Sequence, residues 1–93
     1  MKIAMLRWVF TLELFEFARR KPMPSYRKAL GTDLQTLGVK HFSVETKDVE
    51  GAYKRFKAAR VKFAVPMSTF ANGARYFFVK DPDGVLVEVM ELR

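Results

Sequence analysis

The chain has 93 residues, a formal net charge of +7 and no cysteine, with 49% hydrophobic and 14% aromatic residues. This length allows one small folded domain but not two independent hydrophobic cores. Without cysteine the chain has no disulfide framework, thiolate metal site or thiol nucleophile, so any metal must be held by oxygen and imidazole.

The N-terminal segment, residues 2–17, is rich in β-prone and apolar residues. It predicts either a hairpin that turns near Arg7 and Trp8 or one long strand, because no Gly, Asn or Asp marks the turn. Charged residues such as Glu13 and Glu16 interrupt the apolar stretch, and no cleavage site follows, so we predict no secretion signal. No apolar run approaches the roughly 20 residues that cross a bilayer. We therefore expect a cytoplasmic protein with no membrane partner.

The following segment, residues 18–38, is a connector with two prolines and a basic cluster at Arg19–Lys21 and Arg27–Lys28. Three interpretations are open for this cluster: a solvated linker, a site that attracts an anionic substrate, or a contact with a phosphate backbone. The other charges of the chain are scattered and alternate in sign, which argues against nucleic acid as the partner.

From residue 39 onward the hydrophobic pattern predicts the element order β-α-β-β-β. The turn Asp-Pro-Asp-Gly is a strong signal, because proline presets φ and glycine accepts the positive φ that closes the turn. The predicted elements are a strand over 39–45, a helix over 49–59 capped by Asp48, a strand over 61–65 ended by Pro66, a strand over 74–80, the turn over 81–84 and a strand over 85–91.

The first and last of these strands each carry an apolar face, and the helix carries an apolar stripe. We expect the stripe to pack against the two apolar strand faces, so that the helix covers one side of the sheet. The strand residues concerned are Phe42, Val44, Val85, Val87 and Val89, and those of the helix are Val49, Ala52, Tyr53, Phe56 and Ala59.

The strand faces opposite these apolar ones carry two polar residues. His41 is on the first strand, and Glu88 is on the last strand between Leu86 and Met90. A carboxylate on a packed face lowers the stability of the fold by roughly several kcal/mol unless it has a partner or a metal. The alternative is an edge strand whose second face is wet, where Glu88 is simply solvated. Imidazole with carboxylate suits zinc, iron, manganese, nickel or cobalt.

Two stretches extend this pattern: Gly38 to Tyr53 reads G-V-K-H-F-S-V-E-T-K-D-V-E-G-A-Y, and Gly73 to Glu88 reads G-A-R-Y-F-F-V-K-D-P-D-G-V-L-V-E. They resemble the second module of the vicinal-oxygen-chelate superfamily, which includes glyoxalase I, methylmalonyl-CoA epimerase, extradiol dioxygenases and the fosfomycin and bleomycin resistance proteins. The resemblance implies an α+β fold with a complete βαβββ module over 39–93. It also implies that His41 and Glu88 are ligands of a divalent metal ion.

The stretch from Thr11 to Glu16 resembles the last strand of a first module, which would make Glu13 a third metal ligand. Residues 1–38 then correspond to a partial first module, truncated at its N-terminus and followed by the basic linker. Because the first module's histidine is missing, the resemblance implies a homodimer in which a second copy completes the site. Arg60 departs from the family pattern, since glycine usually ends the helix there.

The function implied is that of a metal-dependent enzyme of glyoxalase or epimerase type, a lyase or isomerase acting on a small anionic carbonyl substrate. Glu88 would move a proton next to the carbonyl group. The alternative is a non-catalytic small-molecule binding or resistance protein of the same fold, and metal content would discriminate the two. An extradiol dioxygenase fits less well, because it needs two histidines and one carboxylate on iron. An RNA-recognition motif also fits less well, because it needs a second helix in its sheet unit and the pattern predicts one.

Overall fold

The computed structural model describes residues 1–7, 11–39 and 41–92. The elements are β1 (Lys2–Arg7), β2 (Thr11–Glu16), a 3₁₀ turn (Ser25–Arg27), α1 (Leu30–Gln35), β3 (His41–Thr46), α2 (Val49–Ala58), β4 (Lys62–Thr69), β5 (Arg75–Lys80) and β6 (Leu86–Glu91). A four-stranded sheet has the order β3-β6-β5-β4, in which β3 runs parallel to β6 and the other neighbours are antiparallel. The predicted α+β fold with a βαβββ module is confirmed.

The N-terminal segment is a hairpin, the first of the two predicted alternatives. Its strands β1 and β2 pair antiparallel as a separate two-stranded sheet, with Lys2 opposite Glu16 and Arg7 opposite Thr11. The prediction of a turn near Arg7 and Trp8 concerns residues that lie, from Trp8 onward, outside the described ones. None of the helices in the described ranges has the length and apolar character needed to span a bilayer.

Helix α2 begins and ends as its sequence predicts. At its start, Asp48 Oδ1 accepts a hydrogen bond from the backbone N–H of Gly51 at 2.9 Å, and a Cβ at Gly51 would overlap the Asp48 carboxylate. At its end, Arg60 has a φ of +59°, and the N–H of Val61 bonds to the carbonyl of Phe56 at 3.1 Å. A side chain at such a left-handed position costs about 1 kcal/mol relative to glycine.

We expect Asp48→Ala to lower the free energy of unfolding by about 1 kcal/mol, because an N-terminal amide of α2 loses its acceptor. Chemical denaturation of the two proteins measures the difference. Asp48→Asn is the control, since its side-chain oxygen can still accept the Gly51 N–H and most of the stability should remain. Equal losses in both variants would contradict the capping role.

The hydrophobic core lies between α2 and one face of the sheet, as predicted. Phe77 at its centre is 0% exposed, and its ring contacts those of Tyr53, Phe56 and Phe63 at centroid distances of 5.1, 5.8 and 5.6 Å. The other buried members are Val49, Ala52, Val79 and Val89, with Val44 and Val87 packed against them. The helix thus covers the valine face of β3 and β6 and leaves the opposite face free of it.

A cation at the margin of this core ties α2 to the sheet. The guanidinium of Arg75 donates to Glu91 on β6 and to Glu50 on α2, each at 3.1 Å. The hydrogen bond to Glu91 is the main cause that raises the pKa of Arg75 above its usual value. Because arginine is charged at every ordinary pH, this shift adds no pH dependence to stability near neutrality.

Two details of the predicted strands are wrong. β4 does not end before Pro66 but continues to Thr69, with register shifts on either side of Val65. β4 is an edge strand of the described sheet, where the missing N–H of proline breaks no ladder hydrogen bond. Val85 belongs to the turn rather than to the apolar face of β6, because it exchanges hydrogen bonds with Asp81.

The connector has an ion pair within itself and also contacts the turn between β5 and β6. Arg27 Nε donates to Asp33 Oδ1 at 3.1 Å, and Asp33 is almost fully buried. Met23 lies against the turn at Gly84. The interpretation of the whole basic cluster as solvated linker is therefore wrong for Arg27, whose charge neutralises a buried carboxylate.

Candidate metal centre

His41 and Glu88 lie on neighbouring strands and on the same face of the sheet. The parallel register of β3 and β6 sets His41 opposite Leu86 and Ser43 opposite Glu88. Both polar residues thus point away from α2, as their parity in the sequence predicts. Nε2 of His41 is 3.7 Å from Oε1 of Glu88, which is too long for a hydrogen bond.

The carboxylate of Glu88 is buried, with the residue 8% exposed. Oε1 accepts a hydrogen bond of 2.6 Å from the hydroxyl of Ser43. Among the described residues no lysine or arginine forms an ion pair with Glu88. A buried carboxylate with one neutral donor remains unfavourable by roughly several kcal/mol without a cation, so a bound cation would stabilise this position.

The imidazole of His41 packs against an aromatic ring of β5. Its ring meets Phe78 of β5 edge to face, with the centroids 4.9 Å apart and the planes at 69°. Nδ1 is buried and has no hydrogen-bond partner in the part of the chain that the structure describes. A buried ring nitrogen without a partner is rare in folded proteins. A hydrogen-bond donor or acceptor placed beside Nδ1 would therefore stabilise this histidine.

The pair fits part of a metal site. Two ligand atoms that each stand about 2.0–2.2 Å from an ion are roughly 3–4 Å apart, and the observed separation of His41 Nε2 and Glu88 Oε1 is 3.7 Å. Within residues 1–7, 11–39 and 41–92, however, no three His, Cys, Asp or Glu side chains come together as a metal site requires. One chain therefore offers two of the three or four protein ligands that such ions usually have.

Glu13 is not brought to this pair within the chain. It lies on β2 opposite Met5, and its side chain is exposed. By strand parity it shares one face of the hairpin with the apolar residues Ile3, Met5 and Phe15. Glu13 thus lies beside Met5 and Phe15 on its face of the hairpin.

Aromatic side chains continue the free face of the sheet beyond His41. Tyr76 lies next to Phe78, with ring centroids 6.1 Å apart, and Phe70 stacks on Tyr76 at 4.1 Å. Neither Ser43 nor Phe78 was predicted as a site residue. Strand alternation could have placed both on the face of His41. Ser43 has the parity of His41, and Phe78 lies between the buried residues Phe77 and Val79.

The comparisons with known proteins agree with this architecture. The family model for the Glyoxalase/Bleomycin resistance protein/Dioxygenase superfamily matches residues 10–89. A member of that superfamily from Sphaerobacter thermophilus is 31% identical over 55% of this chain, with a TM-score of 0.52. Glyoxalase family proteins from Enterococcus faecalis and Bacillus cereus each match 96% of this chain with a TM-score of 0.72, at 23% and 18% identity.

The chain spans 41%, 66% and 60% of the lengths of these three solved relatives, in the same order. No curated protein matches it significantly. The family match covers most of the chain, including both strands that carry His41 and Glu88. The chain belongs to the Glyoxalase/Bleomycin resistance protein/Dioxygenase superfamily.

Proposed function

We propose that the protein is a metal-dependent enzyme of glyoxalase or epimerase type, a lyase or isomerase acting on a small anionic carbonyl compound. The observation that carries the proposal is the pair of His41 and Glu88, 3.7 Å apart on the sheet face that α2 leaves free. The buried carboxylate of Glu88 forms no ion pair with any lysine or arginine among the described residues, and Nε2 of His41 lies beside it. A divalent ion bound by Nε2 and Oε1 would neutralise this carboxylate.

The chemistry proposed for the residues is a proton transfer. When bound, zinc, nickel, cobalt, manganese or iron supplies Lewis-acid polarisation to two adjacent oxygens of the substrate. The carboxylate of Glu88 takes a proton from the carbon next to the carbonyl group and returns it to the neighbouring carbon or to the opposite side of the same carbon. The Ser43 hydroxyl, 2.6 Å from Oε1, orients that carboxylate. His41 would hold the ion through Nε2.

A second copy of the chain is proposed to complete the site. In a symmetric arrangement, two copies contribute His41 and Glu88 each, and one ion is bound per two chains. In the other arrangement, the Glu13 of a second copy joins His41 and Glu88, and one ion is bound per chain. The exposed apolar residues of the hairpin, among them Ile3 and Phe15, support association in either case, because a two-stranded hairpin is marginal on its own.

The proposal is tested by metal binding and by proton exchange. We expect the purified protein to bind nickel, cobalt or zinc, with the affinity falling as the pH is lowered, because protons compete for both ligands. We expect His41→Ala to weaken binding by more than about a hundredfold, since even groups that only support a ligand contribute 10–100-fold. Titration calorimetry gives affinity and stoichiometry. Deuterium exchange next to the carbonyl of an α-ketoaldehyde–thiol adduct gives the activity.

The matched control is Glu45→Gln, which changes an exposed residue of the same strand, two positions after Ser43. It should leave the affinity unchanged. If His41→Ala binds metal as tightly as the parent, the proposed site is wrong. If the parent binds no metal, and its melting temperature does not rise with nickel, cobalt or zinc, the protein is instead a non-catalytic binding or resistance protein of the same fold.

A further inference from the structure

A basic cleft lies at the end of the sheet where β4 begins and β5 ends. It has a volume of about 700 Å³ and is bounded by the connection from α2 to β4, by the turn between β5 and β6, and by Met23 of the connector. Its charged lining residues are Lys28, Arg60, Lys62, Lys80, Asp81 and Asp83.

The two carboxylates of the cleft are already engaged. Asp81 Oδ1 accepts the backbone N–H groups of Asp83 and Val85 at 2.9 and 2.8 Å, and Asp83 lies 3.8 Å from Arg20 in an exposed ion pair. The four cationic side chains form no ion pair with any described residue. The four cations of the lining face only two carboxylates, one of which is already paired with Arg20, so the cleft carries a surplus of at least two positive charges.

Arg60 contributes to this surplus from a strained position. Its φ of +59° lies in the left-handed region, where glycine would save about 1 kcal/mol. Such an outlier points towards a role for the side chain. The role that the structure offers is a guanidinium at the edge of the cleft, where it can bind two oxygens of one anion at once.

The cleft is aligned with His41 across the sheet. The strand registers set Lys62 opposite Lys80, Lys80 opposite Leu86, and Leu86 opposite His41. Residues directly opposite one another point to the same face, so Lys62 and Lys80 share the face of His41. Because neighbouring strands are about 4.8 Å apart, the backbone of Lys80 is roughly 10 Å from that of His41.

We propose that the cleft binds a dianionic phosphoryl group of the substrate, while the carbonyl end of the same molecule lies at His41 and Glu88. The identity of the carbonyl end rests on the proposed function, whereas phosphate binding does not. A dianion neutralises more of the surplus positive charge than a monoanionic carboxylate does. Lysine provides point charges and arginine a planar pair of donors, which together suit a tetrahedral oxyanion.

The experiment measures binding of inorganic phosphate to the metal-free protein, by chemical-shift changes of backbone amides. We expect changes at Arg60, Lys80 and Gly84, and saturation as for a single site. Arg60→Gly should weaken phosphate binding about tenfold, since it removes a charge-assisted contact. The same variant should be as stable as the parent or more so, because it relieves the strained φ. Lys80→Met should weaken binding by a similar factor.

Lys54→Met is the control, because it removes an equal charge from the exposed face of α2, away from the cleft. It should leave phosphate affinity unchanged. Dimethyl phosphate, a monoanion, should bind about tenfold more weakly than phosphate. Equal weakening by Lys54→Met and Arg60→Gly would overturn the proposal, because it would mean diffuse attraction.

The His41→Ala variant separates this proposal from that of the metal centre. It should bind phosphate as the parent does, even if it has lost all metal binding. If a short single-stranded oligonucleotide binds at the cleft more tightly than phosphate, with steep salt dependence, the ligand is a nucleic-acid backbone and the proposal is wrong. If the protein binds metal but no phosphate, the proposal for the cleft is wrong and the proposal for the metal centre is unaffected.

Discussion

Phe77→Ala is expected to lower the free energy of unfolding by about 3–5 kcal/mol, the range for truncation of a fully buried phenylalanine. Phe77 is 0% exposed and is surrounded by Tyr53 and Phe56 of α2 and by Phe63 of β4. Its loss leaves a cavity between helix and sheet that side chains held by both elements cannot close. In a domain with about 5–15 kcal/mol of total stability, such a change populates unfolded chains.

Urea denaturation at one fixed protein concentration measures this effect, because association with a second copy would otherwise change the apparent stability. Phe77→Leu is the matched control. It keeps most of the buried apolar volume, so we expect it to lose only about 1 kcal/mol. A loss below about 1 kcal/mol for Phe77→Ala would mean that the ring is not the centre of the core.

If the protein forms the proposed homodimer, Phe15→Thr is expected to raise its dissociation constant by about a thousandfold. Phe15 is an exposed aromatic residue of β2, and threonine keeps the strand propensity of the position while removing the ring. Loss of a central aromatic contact costs about 2 kcal/mol, and a symmetric interface contains the residue twice. Sedimentation velocity over a dilution series gives the two constants.

Lys2→Thr is the control for this variant. Lys2 lies at the open end of the hairpin in an exposed ion pair of 3.8 Å with Glu16, and exposed pairs contribute about 0–1 kcal/mol. Its replacement should leave the dimer almost intact. A parent protein that is monomeric at micromolar concentration would contradict the homodimer. It would also leave His41 and Glu88 without the further ligands that a second copy was proposed to provide.

The sequence predicts the βαβββ module well because its local signals agree with one another. The alternation around Val44 and Val87, the cap at Asp48 and the turn at Gly84 each favour the same element order. Strand ends were harder to predict. A proline such as Pro66 would end a strand in the middle of a sheet, but β4 lies at the edge. Whether a strand lies at the edge depends on the strand order, which no local pattern contains.

For the candidate site, parity was sufficient to place His41 and Glu88 on one face, away from α2. The hydrogen bond from Ser43 to Glu88 could not be predicted, because it depends on the register between two strands that are not consecutive. The ion pair of Arg27 with the buried Asp33 could not be predicted, because the connector has little periodicity from which its fold could be read. Arg27 was therefore grouped with the basic cluster. Glu13 remains a prediction, because its role requires a second copy.

The parallel pairing of β3 with β6 also has a consequence for the order of folding. Ser43 and Glu88 meet across 45 positions of sequence, whereas β4, β5 and β6 join consecutively through short turns. Closing the longer loop has the higher entropic barrier, so we expect the three-strand meander to form first and β3 to dock late. Until β3 docks, Glu88 has neither Ser43 nor His41 beside it. A metal that requires both strands would therefore recognise only the fully folded chain and slow its unfolding.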